Sequence, residues 1–228
     1  MTNPIFVAID TIDLEAARDL AARLAPHVGG LKLGLEFFCA HGPAGIAQVA
    51  DGRESDLFLD LKLHDIPNTV AGAVRAVRSL KPDFLTLHAG GGAAMMAAAR
   101  DAAGDTIRLL GVTVLTSLDD DDLASVGQIG PALDQAMRLA RFARESGLDG
   151  VVCSPREVAL IRAECGPDFL IVVPGIRPEG ATLGDQKRVM TPRAAIEAGA
   201  SRLVIGRPIT GADDPAAAAR AIIAGLRP

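Results

Sequence analysis

Two patterns of hydrophobic and polar positions alternate along the chain. Short apolar runs at 5–10, 31–34, 57–63, 84–89, 107–115, 150–154, 169–175 and 202–207 read as buried strands. Between them, apolar residues recur at helical spacing over 14–24, 36–50, 70–80, 93–103, 131–146, 156–163, 193–198 and 215–225. Strands and helices taking turns imply parallel βαβ units, because a parallel neighbour needs a crossover that returns over the sheet face. Eight such units in 228 residues fit a (β/α)8 TIM barrel that forms a single domain over 1–228. A doubly wound open sheet is the competing topology, but no GxGxxG or Walker sequence follows any strand.

The pattern is most informative at 57–70, Leu-Phe-Leu-Asp-Leu-Lys-Leu-His-Asp-Ile-Pro-Asn-Thr-Val. Successive strand side chains point to opposite faces. Leu57, Leu59, Leu61 and Leu63 therefore share one face, suited to a helix layer. Phe58, Asp60, Lys62 and His64 share the other, and Asp65 follows beyond the strand end. Charges among strongly strand-forming residues are costly unless paired or solvated. A structural ion pair is the plain reading. The functional one is a lysine held as its ammonium by flanking carboxylates, each contact contributing roughly 4 kcal/mol at an effective dielectric of about 20, before desolvation. Such a group can deliver a proton to a strongly basic carbon and is a poor Schiff-base nucleophile, which needs the neutral amine.

In a barrel the site lies at the C-terminal strand ends. Those ends carry Asp10, Lys32, Asp60 with Lys62, His88 before three glycines, Thr116-Ser117, Arg177 and Gly206-Arg207. Gly206 lets a backbone N–H approach closely, and Arg207 offers a bidentate fork, so the last strand end reads as an anion site. The loop 176–191 carries Arg177, Gly180, Gly184, Gln186, Lys187 and Arg188 and is long enough to be a lid. The remaining candidates take ordinary readings. His27 and His41 are surface or capping groups, His64 orients its neighbours, and His88 lines the rim or packs beneath it. Asp119–Asp122 is a solvated loop and helix N-terminus, and Met95 and Met96 pack.

Composition narrows the function classes. A net charge of −5 without a basic block argues against a nucleic-acid footprint, and with no Trp or Tyr there is no aromatic ladder for stacking bases. Cys39, Cys153 and Cys165 form no CxxC, so neither a disulfide framework nor a metal site is expected, and reduced thiols in a cytoplasmic protein are the default. No apolar run reaches the 18 residues of a membrane span. The first residues lack the basic segment of a signal peptide.

The run Asp60-Leu-Lys62-Leu-His-Asp65-Ile-Pro-Asn-Thr69 resembles the signature of the orotidine 5'-phosphate decarboxylase family. Val-Ala-Ile-Asp10, Lys32-Leu-Gly, His88-Ala-Gly-Gly, Val-Thr-Val-Leu-Thr116-Ser, Val-Val-Cys-Ser, Pro-Gly-Ile-Arg177-Pro, Gly-Asp-Gln186 and Val-Ile-Gly206-Arg207-Pro follow in family order, over essentially the whole chain. The resemblance implies cofactor-free, metal-free decarboxylation of orotidine 5'-phosphate to uridine 5'-phosphate. It makes Lys62 the proton donor to pyrimidine C6, with Asp60 and Lys32 completing an alternating charge network. Asp10 and Lys32 would hold ribose hydroxyls, and Thr116 or Ser117, with Thr116 favoured, would read the pyrimidine edge. Arg177, Gln186, Gly206 and Arg207 would bind phosphate. Asp65 and Thr69 would enter the neighbouring site of a homodimer. Related magnesium-dependent 3-keto-L-gulonate 6-phosphate decarboxylases share DxKxxD, and a silent nucleotide-binding barrel is the non-enzymatic alternative. The His-Asp-Ile-Pro-Asn-Thr continuation and Gly-Asp-Gln favour the first reading.

Overall fold

The computed structural model describes residues 3–178 and 190–226. Eight parallel strands close in sequence order: β1 (Ile5–Ile9), β2 (Gly30–Gly34), β3 (Asp56–Leu63), β4 (Phe84–His88), β5 (Arg108–Val112), β6 (Gly150–Val152), β7 (Leu170–Val173) and β8 (Arg202–Ile205). The helices are α1 (Leu14–Leu24), α2 (Leu35–Val49), α3 (Pro67–Val77), α4 (Ala93–Ala103), α5 (Asp120–Ser125), α6 (Ala132–Glu145), α7 (Val158–Cys165), α8 (Pro192–Glu197), α9 (Arg207–Thr210) and α10 (Pro215–Ala224). The barrel expected from the pattern is the fold observed.

Alternation along the strands sorts residues into two cores. Ile5, Val7 and Ile9 of β1, Leu31 and Leu33 of β2, and Leu57, Leu59 and Leu61 of β3 face the helix layer in one large cluster. The opposite parity, Phe6, Ala8, Phe58, Phe84, Leu110, Val172 and Val204, fills the barrel. Phe6, Phe58 and Phe84 pack with tilted or edge-on rings, centroids 5.2–6.1 Å apart, and form an apolar floor. Below it, the Arg108 guanidinium lies over the Phe84 ring at 3.9 Å and pairs with Asp56 at 3.6 Å. One turn of side chains above the floor the same parity reaches Lys32, Asp60 and Thr86. The polar site therefore stands on a dry base.

The strand starts are tied by side chains of the following odd–even pair. Asp83, just before β4, accepts the Leu57 N–H at 2.7 Å; Asp149, before β6, accepts that of Leu109 at 2.6 Å; Ser201 Oγ, before β8, accepts that of Ile171 at 3.1 Å. At the matching place before β2 stands Gly29, where a Cβ would lie 2.0 Å from the Asn3 carbonyl oxygen.

Three local departures from the sequence pattern have physical causes, and the acidic run behaves as expected. β5 ends at Val112 rather than 115, because its neighbour β6 offers only three residues and the ladder runs out. The acidic run at 119–122 forms a capping box, with Asp119 Oδ1 accepting the Asp122 N–H, and so starts the short helix α5. Gly42, at φ +58° and followed by Pro43, kinks the segment read as one continuous helix. The β3–β4 register also slips: Leu59 pairs with Leu85 but Leu63 pairs with Leu87, while Leu57, Leu59, Leu61 and Leu63 keep to the helix-facing cluster. Four steps of β3 thus face two of β4, and the bulge between them carries Asp60 and Lys62.

Phe84 is fully buried at the barrel floor. Phe84→Ala is expected to lower the unfolding free energy by about 3–5 kcal/mol, read as a shift of the urea midpoint at unchanged slope; a loss below about 1 kcal/mol would show that the floor is not a packed core.

Candidate active site

The bulge is what aims the central charges. Lys62 has φ +48°, in the left-handed region that a non-glycine residue enters at a cost of about 1–2 kcal/mol. Its N–H donates to Thr86 Oγ1 at 2.9 Å, and its ammonium donates to Asp60 Oδ2 at 2.7 Å. The Lys32 ammonium, on the neighbouring strand and nearly buried, lies 3.6 Å from the same oxygen and 3.2 Å from Asp10 Oδ1. The result is a continuous row across β1, β2 and β3: Asp10, Lys32, Asp60, Lys62. Gly34 leaves room beside it: a Cβ there would sit 3.3 Å from the Lys32 ammonium, a tight contact.

Asp60 is the hinge of this row. Burial pushes its carboxyl upward, but Lys32 and Lys62, with hydrogen bonds from Lys62 and from the Thr86 hydroxyl, outweigh burial and hold it below the ordinary value. His88, at the end of β4, is shifted down by burial, by His64 and by Lys62, which leaves the ring neutral. His64 and His88 stack at 5.2 Å between centroids, with His64 exposed.

A cavity of about 280 Å³ opens over the row. Asp10, Lys32, Asp60, Lys62, Thr116, Arg177, Gly206 and Arg207 all line it. Its apolar wall comes from Val112, Val114, Val152 and Val204, which the strand pattern marked as buried but not as site residues. Cys153 also lines it; burial and Glu157 push its thiol well above the ordinary range, so it contributes a neutral wall. Arg177 is buried, its N–H donates to the Met190 carbonyl, and Arg207 lies close enough to lower its pKa further after burial has done so. Two guanidiniums thus stand near each other at the β7 and β8 ends, an arrangement whose donor forks suit an anion. A Cβ on Gly206 would make only ordinary contacts, 3.5 Å from Ala8 and 3.8 Å from Asp10; the missing side chain leaves the cavity mouth open above the strand end.

Ser117, the less favoured of the two pyrimidine-edge candidates, and the two residues expected to serve a neighbouring subunit do not line this cavity. Ser117 is exposed and does not line the cavity, whereas Thr116 does. Asp65 and Thr69 are exposed at the rim, and the Asp65 carboxylate accepts the Ile66 N–H at 2.6 Å instead of approaching Lys62. Among the described residues, Lys62 is therefore flanked by one carboxylate of its own chain, not two. Gln186 lies outside the described residues, as do Gly180, Gly184, Lys187 and Arg188. The residue that pattern reading missed is Thr86: an isolated threonine in an apolar strand carries no signal until the bulge opposite it is known.

A row of alternating charges with a buried centre, leading to two arginines at the same cavity, is the layout of a (β/α)8-barrel enzyme acting on a small anionic substrate. The profile of the orotidine 5'-phosphate decarboxylase / HUMPS family matches residues 3–222. In sequence the chain is 58% identical to the orotidine 5'-phosphate decarboxylase of Novosphingobium aromaticivorans over 226 residues, 99% of this chain and 100% of the relative. It is 58% identical to that of Rhodospirillum rubrum, with 98% and 93% covered. The crystal structure of orotidine 5'-phosphate decarboxylase from Lactobacillus acidophilus superposes with a TM-score of 0.88 at 40% identity, covering 99% of this chain and 100% of that one. The chain belongs to the orotidine 5'-phosphate decarboxylase / HUMPS family.

The position of Asp60 makes acid stability a readout of the row. A depressed carboxyl stabilises the fold fully above its unfolded value near 3.8, and that contribution is lost as pH falls through the lower folded value. Asp60→Asn is therefore expected to be less stable at pH 7, yet to lose less unfolding free energy than the parent between pH 5 and pH 2 in urea titrations; parallel pH curves for the two proteins would show that Asp60 is not held ionised.

Proposed function

We propose that the row Asp10–Lys32–Asp60–Lys62 carries out the decarboxylation of orotidine 5'-phosphate to uridine 5'-phosphate and carbon dioxide. The observation that carries this reading is the Lys62 ammonium, 2.7 Å from a buried carboxylate and on the wall of the cavity. The C6–carboxylate bond breaks, its electron pair stays on C6, and carbon dioxide leaves. C6 then takes a proton from the Lys62 ammonium, which is restored from solvent. The pair on C6 lies in the ring plane and is not conjugated with the ring carbonyls, so its stabilisation is electrostatic and comes from the cation aimed at it. Asp60 and Lys32 keep that cation in place. Asp10 and Lys32 take the ribose hydroxyls, and Thr116 takes the pyrimidine edge. The Lys32 ammonium already bridges the Asp10 and Asp60 carboxylates, which disfavours a divalent ion between them and with it the magnesium-dependent alternative.

Arg177, Arg207 and the Gly206 N–H bind the phosphate, joined by Gln186 from the segment after β7. The barrier to such a reaction must fall by roughly 20 kcal/mol, more than one lysine supplies. Binding energy from the phosphate pole, far from C6, is available to position the pyrimidine and hold the site closed.

The working unit in this reading is a homodimer. Asp65 and Thr69 are exposed on the rim, beside the exposed apolar side chains of Ile12, Leu35 and Ile66 that follow β1, β2 and β3. A second copy seated on that edge would cover the apolar residues and receive Asp65 and Thr69 in its own cavity. Unpaired Cys39, Cys153 and Cys165 suit the reducing cytoplasm.

Lys62→Ala is expected to lower kcat at least about a thousandfold while changing the Kd for uridine 5'-phosphate less than about tenfold; appreciable turnover in a spectrophotometric assay with orotidine 5'-phosphate would remove the proton-donor role. Mixing Lys62→Ala with Asp65→Asn, each nearly inactive alone, is expected to restore about a quarter of the parental sites once subunits exchange at random. No recovery, with mixed dimers present by native mass spectrometry, would place Asp65 in its own subunit's site.

A further inference from the structure

Thr86 is fully buried on β4 and does not line the cavity. Its hydroxyl nevertheless touches the catalytic row twice. Oγ1 accepts the backbone N–H of Lys62 at 2.9 Å and donates to Asp60 Oδ1 at 3.0 Å. The directions are forced: an amide can only donate, an ionised carboxylate can only accept, and one hydroxyl serves both. The same Asp60, through its other oxygen, holds the Lys62 ammonium. One buried oxygen thus fixes Lys62 at both ends, at its main chain directly and at its ammonium through the carboxylate.

The need for such a group follows from the bulge. With four steps of β3 set against two of β4 between the Leu59–Leu85 and Leu63–Leu87 pairs, Thr86 is the β4 residue facing the extra loop of chain. Lys62 there adopts its positive φ of 48°. Among the described residues only Lys81 shares a positive φ without being glycine, and it ends a 3-10 turn rather than lying in a strand. A conformation that the chain does not favour by itself persists only when its surroundings over-determine it. The Thr86 hydroxyl is placed to do this.

We propose that Thr86 is a positioning residue for the decarboxylation, its hydroxyl setting the direction of the Lys62 ammonium by holding the bulged backbone and the Asp60 carboxylate together. This rests on Lys62 being the proton donor. The role differs from packing, because valine fills the same volume without the hydrogen bonds. It differs from substrate binding, because Thr86 is fully buried and does not line the cavity.

The test is steady-state kinetics of Thr86→Val and Thr86→Ser beside Lys62→Ala, with full pH profiles. In Thr86→Val the ammonium loses its alignment, and kcat is expected to fall about 100-fold while KM stays within about twofold. Asp60 also loses one of the hydrogen bonds to its charged form, so the acid limb of kcat moves to higher pH. Among the described residues, the charged or titratable groups around that carboxylate are Lys32 on β2, Lys62 on β3, His88 on β4 and, beyond Lys32, Asp10 after β1; all remain in the variant. Thr86→Ser keeps the hydroxyl and is expected to restore most of kcat and the parental limb. Should Thr86→Val fail to fold, Thr86→Cys gives the same reading, its thiol being a weak donor and acceptor. Parental kcat and an unmoved acid limb in the valine or cysteine variant, with Lys62→Ala inactive, would overturn the proposal and leave the Lys62 assignment standing. An equal loss in serine and valine variants would overturn it too. Turnover in Lys62→Ala would instead remove the reading on which it rests.

Discussion

The structure depends on one carboxylate shared by two ammonium groups. Asp60, mostly buried between Lys32 and Lys62, has little solvent to offset its charge, and among the described residues neither lysine pairs with another buried carboxylate. Remove the carboxylate and two cations face each other at a barrel mouth; remove either lysine and a buried charge loses part of its compensation. Each member is held by the others. That mutual constraint keeps a proton-bearing nitrogen fixed over the cavity wall without a flexible side chain having to find its pose in each turnover.

The rest of the barrel serves this arrangement by separating dry from wet. Three phenylalanines close the interior below, and the side chains one layer up are the charged row. Valines on β5, β6 and β8, and Val114 just after β5, line the same cavity as the cations. A reacting group placed there would meet both charge and hydrocarbon, a medium in which oriented charges act more strongly than in water. Arg177 and Arg207 stand at the far pole, near each other on the ends of β7 and β8. Charge separation along the mouth, with the anionic and cationic row at β1–β3 and the guanidiniums at β7–β8, matches a substrate that carries its phosphate away from its reacting carbon.

The bulge in β3 links the fold to the chemistry. A regular strand would continue its ladder with β4 and keep every backbone torsion relaxed. Instead two extra residues are admitted, Lys62 turns into the left-handed region, and a threonine hydroxyl of β4 reaches across to hold it. Irregular pairing beside an active site re-aims a side chain that a regular strand would leave elsewhere.

The sequence alone determined the alternation of strands and helices, the eightfold count, the two faces of β3 and the collection of charged and glycine residues at strand ends. It could do so because burial imposes periods of 2 and 3.6 on the chain, and because charges inside an apolar run are rare enough to mark themselves. The wording of the motif from Asp60 to Thr69 placed Asp65 and Thr69 beyond the strand, and the structure finds them exposed there. Only the tertiary structure decided that β5 stops early beside a three-residue neighbour, that Thr116 and not Ser117 meets the cavity, and that among the described residues Lys62 has one intrachain carboxylate partner. It alone disclosed Thr86. Register shifts, backbone torsions and contacts between strands 24 to 26 residues apart are set by how neighbouring strands pair around the closed barrel, and no periodicity within a single segment encodes them.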